Sequence, residues 1–170
     1  MTKHLTKPIR AIHFMVLAFL MTLSSPVAAQ AFQKGYDAFS AGDYATALKE
    51  WTPLAEAGDK VSQFNLGVMY SNGKGVPQDN AEAVKWYRLA AEQGYDKAQN
   101  YLGTMFELGD GVLQDNTMAH MWYNIASANG GDKSGEWRDE LAGRMTSADI
   151  SKAQAMAREC MNSGYTKCGY

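Results

Sequence analysis

Asn65–Gly94 reads NLGVMYSNGKGVPQDNAEAVKWYRLAAEQG, and Tyr101–Gly130 reads YLGTMFELGDGVLQDNTMAHMWYNIASANG. The second stretch follows the first at a shift of 101 − 65 = 36 residues, with no gap. Leu66-Gly67 falls on Leu102-Gly103, Gly73 and Gly75 on Gly109 and Gly111, and Gln78-Asp79-Asn80 on Gln114-Asp115-Asn116. Ala83, Trp86-Tyr87, Ala90 and Gly94 fall on Ala119, Trp122-Tyr123, Ala126 and Gly130. A repeat of this period is a supersecondary unit that stacks on its copies, because neither copy can bury its apolar face alone.

The glycine-rich segment inside each copy invites a chemical reading. Gly73–Asp79, GKGVPQD, places a lysine between glycines ahead of an apolar helix, as a phosphate cradle does. Its counterpart, Gly109–Asp115, is GDGVLQD. Asp110 there would repel a phosphate, and neither copy has a Ser or Thr after the lysine position or a strand-like run before it. The recurring feature is a tight connector whose glycines take positive φ. Asp79 and Asp115 then stand where a side chain caps the next helix. Glu82, three residues after Asp79, predicts a capping box that Met118 does not repeat.

On either side of the connector the spacing predicts a helix. Ser62, Leu66, Gly67 and Tyr70 recur as Ala98, Leu102, Gly103 and Phe106, which is one helical face with small residues beside large ones. A glycine inside a helix costs about 1 kcal/mol relative to alanine. Its place in both copies predicts a neighbouring helix packed directly over it. Ala83, Trp86, Tyr87, Ala90 and Ala91 form the matching face of the second helix.

Weaker units flank the two copies. Ala47, Trp51 and Gly58 lie 36 before Ala83, Tyr87 and Gly94, and this unit has a clipped loop, AGDY. Downstream, Arg138 and Asp139 occupy the Leu-Gly positions, so that helix offers Trp137, Leu141 and Met145 instead. Thr146 and Asp149 open a last helix running to about Met161. The organisation is a degenerate N-terminal helical repeat over residues 30–60, repeats over 61–94 and 95–131, and C-terminal capping helices and tail over 132–170.

These motifs resemble Sel1-like repeats, relatives of the tetratricopeptide superfamily. The resemblance rests on the A-xxx-LG-xx-Y/F helix, the GxGVxQD loop, the A-xx-WY/F-xx-A-A helix and the closing glycine. The stretch RDELAGRMTSADISKAQAMAREC is similar to the C-terminal cap of short exported members. The resemblance implies an all-α fold, an α/α superhelical solenoid with a C-terminal helical cap. It further implies an adaptor or scaffold that binds a peptide or partner domain through its concave face. Asn65, Met69, Tyr101 and Met105 lie beside the packing face and are the residues expected to point into that groove. The methionines would serve equally as packing between repeats.

The chain ends bear on location. Lys3, Lys7 and Arg10 precede an apolar run from Ala11 to Leu23, which Ser24-Ser25-Pro26 breaks before Val27-Ala28-Ala29. This pattern predicts a signal peptide over residues 1–29, cleaved after Ala29 or after Ala31, and an exported protein, periplasmic or secreted. The run is shorter than the roughly 20 residues of a membrane span. Loss of the three basic residues takes 16 basic residues to 13 against 18 acidic ones. An acidic chain without a basic block is a poor partner for nucleic acid or anionic lipid. In an exported chain Cys160 and Cys168 are read as a disulfide, with free thiols or an intermolecular bridge as the alternatives. So short a loop contributes about 2–3 kcal/mol.

Catalytic chemistry finds little support. After signal removal His120 is the remaining histidine, and its equivalence to Val84 predicts a half-exposed surface position. One imidazole makes neither a triad nor a zinc site. The tryptophan ladder of Trp51, Trp86 and Trp122 could stack sugars, but its period marks it as packing. Cys160 and Cys168 lack C-x-x-C spacing. No enzyme activity, metal or cofactor is expected. A cell-wall-related or β-lactam-binding enzyme stands as the alternative, by analogy with Sel1-like proteins that carry a disulfide across each repeat. The repeats here contain no cysteine. A regulatory subunit of an envelope enzyme is a further alternative, and two full repeats make so short a stack that pairing with a second copy is compatible with it.

Overall fold

The computed structural model describes residues 26–169. Eight helices follow one another without a strand among the described residues: α1 (Pro26–Ser40), α2 (Tyr44–Glu56), α3 (Lys60–Asn72), α4 (Asn80–Ala91), α5 (Asp96–Leu108), α6 (Asn116–Ala128), α7 (Ser134–Ala142) and α8 (Ser147–Asn162). Each helix packs on its sequence neighbour through α7, and α8 folds back onto α6. The fold is the all-α stack of helix pairs that the repeats predict. The basic head and apolar run of the expected signal peptide lie outside the described residues, while Ala29 and Ala31 fall in the first two turns of α1.

The helical glycines explain how each pair closes. A methyl group added at Gly67 would lie 2.5 Å from the Tyr87 ring, and one at Gly103 would lie 2.7 Å from the Tyr123 ring. Each tyrosine of the second helix thus packs directly against the backbone of the first. Tyr87 and Tyr123 are buried as a result. The first unit uses the same device: Trp51 covers Gly35, and its indole donates to the Phe32 carbonyl at 3.2 Å. The spacing there is 16 residues rather than 20, because the clipped AGDY turn is four residues shorter.

The connectors are held by their own side chains. Asp79 accepts from the Glu82 amide at 2.9 Å, and Asp115 from the Thr117 and Met118 amides at 2.8 and 3.0 Å. Gln78 and Gln114 reach back to the Ser71 and Glu107 carbonyls at 2.9 and 2.8 Å, stopping the preceding helix. The QD pair therefore ends one helix and starts the next. The capping box expected at Glu82 forms only by half. Its carboxylate turns to Lys85 at 2.6 Å, and the Asp79 amide donates instead to the Tyr70 carbonyl at 3.0 Å. Gly75 and Gly111 have φ of 76° and 72°, and each abuts the start of the helix one unit earlier, at Tyr44 and Asn80. Lys74, the lysine of the phosphate-like segment, lies over the Phe39 ring at 4.8 Å. It is packing on an aromatic face.

Units are joined by a polar rung that repeats with the chain. Gln63 donates to the Ala55 carbonyl and accepts from Gln93, at 3.0 and 2.8 Å. Gln99 donates to the Ala91 carbonyl and accepts from Asn129 at the same two distances. Each buried amide thereby pairs its own donor with a helix-end carbonyl that already accepts from Gly58 or Gly94, which avoids the cost of an unpaired buried side chain. Asn129 also donates to the Tyr165 hydroxyl at 2.9 Å, so the C-terminal tail continues the rung. Cys160 and Cys168 form a disulfide with Cα atoms 4.5 Å apart, and the loop they close carries Tyr165 onto Gly94.

Candidate functional site

Second-helix rings that cover glycines are consumed by packing, so surface chemistry falls to the outward side of the first helices. Along α3 and α5 that side carries Phe64, Asn65, Val68 and Ser71, then Asn100, Tyr101, Thr104 and Glu107. The two series differ in bulk at their first member. Phe64 packs edge-on against Tyr101 and Tyr95, each with centroids 5.3 Å away, and tilts against Tyr87 at 5.7 Å. Asn100 occupies the equivalent position one unit on and has no ring to fill that space. A groove of about 380 Å³ opens there, with Tyr101, Thr104 and Glu107 on α5, Tyr123 on α6, and Trp137 and Glu140 on α7.

The polar groups of this groove are partly engaged. The Tyr123 hydroxyl lies 3.1 Å from the Thr104 hydroxyl and donates to Glu107 at 2.8 Å. Arg144 binds the other Glu107 oxygen. Burial, the largest cause, pushes the Tyr123 phenol well above its ordinary range. Tyr87, its counterpart, is pushed up to about 12 by the same cause, with the Ser71 hydroxyl at 3.1 Å opposing. Glu140 is exposed and forms no ion pair among the described residues. Tyr101 is 45% and Trp137 39% exposed. The groove thus offers two open aromatic side chains, a floor of fixed hydroxyls and a free carboxylate.

Of the residues expected to face a partner, Tyr101 lies in this groove and Asn65 is half-buried on α3. Met69 and Met105 do not line it. They are 0% and 7% exposed and belong to the core, so the packing alternative describes them. Their helical position turns them inward, Met69 into the cluster with Ala47, Trp51 and Ala55 of α2. Sequence reasoning placed Trp137 in a packing face with Leu141 and Met145. Leu141 and Met145 do pack against the core, while Trp137 rests on Tyr123 with centroids 6.0 Å apart and leaves one side open.

His120 corrects a second expectation. It is buried, as is Val84, its counterpart, because this position of the second helix faces the next unit rather than solvent. Burial first, and the Arg138 cation second, hold its imidazole below the ordinary value, with Asp139 pulling the other way. Its Nδ1 meets no hydrogen-bond partner among the described residues. No group of three or more His, Cys, Asp or Glu side chains is arranged to hold a metal among the described residues. No described helix is long and apolar enough to cross a membrane.

Comparison with known proteins agrees with this architecture. The Sel1 repeat family matches residues 60–95 and 96–131. No curated protein matches the chain. Among solved structures, a protective antigen of uropathogenic Escherichia coli with an SLR fold superposes with a TM-score of 0.76 at 29% identity, over 81% of this chain. The chain spans 31% of that protein's length. A Sel1 repeat protein from Oxalobacter formigenes superposes with a TM-score of 0.61 at 31% identity, over 66% of this chain and 88% of the other. With two repeats in register and a relative matched over most of its length, the chain belongs to the Sel1-like repeat family.

Proposed function

We propose that this protein is an exported adaptor or scaffold that holds a peptide or partner domain in the groove between α5 and α7. Sel1 repeats commonly mediate contacts between proteins, and two open aromatic side chains on facing helices suit that use. The observation that carries the reading is the exposure of Tyr101 and Trp137 on the two sides of a groove of about 380 Å³. Aromatic side chains bury much area at little entropic cost, and they dominate binding energy when a partner covers them. Binding and assembly, rather than turnover, are the activities this surface supports.

Export rests on the basic head, the apolar run and the Ala29 and Ala31 sites, together with a cysteine pair suited to an oxidising compartment. Cell fractionation followed by intact-mass measurement tests it. A soluble envelope species beginning at Gln30 or Phe32 is expected, and an uncleaved cytoplasmic species would refute it.

Photo-crosslinking tests the groove. A benzoyl-phenylalanine at Tyr101 is expected to capture a discrete partner in the native cell, and one at Leu113, 91% exposed on the α5–α6 connector, is not. Equal capture from both sites, or capture from Leu113 alone, would contradict the groove reading.

A further inference from the structure

We propose that the groove selects a cationic side chain, an arginine presented by the partner segment. This deepens the reading above and rests on it for the partner's being a polypeptide. Three observations point the same way. The charged groups lining the groove are both carboxylates, Glu107 and Glu140. Arg144, from the turn after α7, already binds Glu107, so a guanidinium is accommodated at this edge by the chain itself. Glu140 is left without a cation among the described residues.

The walls complete the match. Tyr101 and Trp137 offer ring faces whose quadrupole attracts a cation. The planar guanidinium stacks on such faces and sheds water more readily than an ammonium. Asn100 stands on the same wall. An anion would meet the unpaired Glu140 carboxylate here, and a purely apolar side chain would leave Glu140 without a partner. The equivalent surface one unit earlier carries Ser71 in place of Glu107 and Phe64 in place of Asn100, so the preference belongs to one junction and not to every repeat.

The test is an NMR titration of the isotope-labelled protein with Nα-acetyl-arginine methylamide, against its neutral isostere Nα-acetyl-citrulline methylamide. The arginine probe is expected to shift the Trp137 indole N–H and the Thr104 amide in a saturable way. The citrulline probe should bind about fivefold or more weakly, the difference a desolvated cation makes over aromatic faces. Glu140→Gln should bring the two probes together while leaving the rest of the spectrum in place, and added salt should weaken only the arginine probe. Equal response to both probes, shifts centred outside the groove, or no shift at all would overturn the proposal. If crosslinking from Tyr101 succeeds while the arginine probe fails, the charge selectivity falls and the groove reading stands. If the probe binds selectively while Tyr101 captures nothing, the site stands and its use by a protein partner falls.

Discussion

The two full repeats share their skeleton and differ at their surfaces. Gly67 and Gly103 lie beneath Tyr87 and Tyr123, the QD pairs hold both connectors, and Gln63 and Gln99 make the same rungs. Three of the exchanges between them shape the groove. Phe64 becomes Asn100 and opens a space, Ser71 becomes Glu107 and brings charge to it, and the neighbour beyond supplies Trp137 where the earlier junction has Tyr101. A repeat array fixes the positions that touch the next unit and leaves the outward ones free. Function is therefore to be sought where the copies disagree.

The largest expected difference concerns the tryptophans. Trp122 is 0% exposed because α7 and α8 cover α6, while Trp86 is half-buried. Trp122→Ala should cost about 3–5 kcal/mol in urea unfolding, and Trp86→Ala clearly less. Equal losses would mean that the C-terminal helices add nothing over a bare repeat. The glycines should instead respond alike. Gly67→Ala and Gly103→Ala each push a methyl into a ring held by its hydroxyl, and each should lose about 1–3 kcal/mol. A loss confined to one copy would break the shared skeleton.

Next come the hydroxyls. Tyr123 donates to a carboxylate and Tyr87 meets a serine, so Tyr123→Phe should cost about 1.5–2 kcal/mol and Tyr87→Phe about 1. Both phenols are held above their unfolded value of 10. The unfolded chain then loses protons first as pH rises, so their stability contribution is present below pH 10 and lost above it, through about 12 for Tyr87. Tyr87→Phe should flatten that alkaline decline in a melting-temperature profile.

The smallest effect sits at His120. Its imidazole is held low in the folded state, so its contribution is present above 6.5 and lost as pH falls, when only the unfolded chain takes up the proton. His120→Val, which copies Val84, should remove this acid sensitivity and spare an unpartnered buried nitrogen. A variant that keeps the wild-type acid slope would show that His120 is not its source.

Much of this was legible in the chain. The register revealed the helix pairs, the connectors and the glycine faces, because each places a small or polar residue where only one geometry tolerates it. Three features escaped for identifiable reasons. Gly35 beneath Trp51 was hidden by the shorter turn, which breaks the 20-residue spacing. The Gln63 and Gln99 rung sits in perfect register, yet a glutamine in a helix gives no sign of burial until its carbonyl partner is known. His120 was placed by its equivalence to Val84, and a valine at that helical position gives no sign in the sequence that it is buried against the next unit. The groove itself is half legible: Tyr101 is marked by its place beside the packing face, whereas Trp137 reads as packing on a helix whose Leu-Gly pair is replaced by Arg138 and Asp139.

The most direct test copies one repeat into the other. Asn100→Phe restores the ring that Phe64 provides in the earlier unit and should close the groove. The account predicts that this variant keeps its melting temperature or gains slightly, and that crosslinking from Tyr101 disappears. A folded Asn100→Phe protein that captures its partner as well as wild type would contradict it.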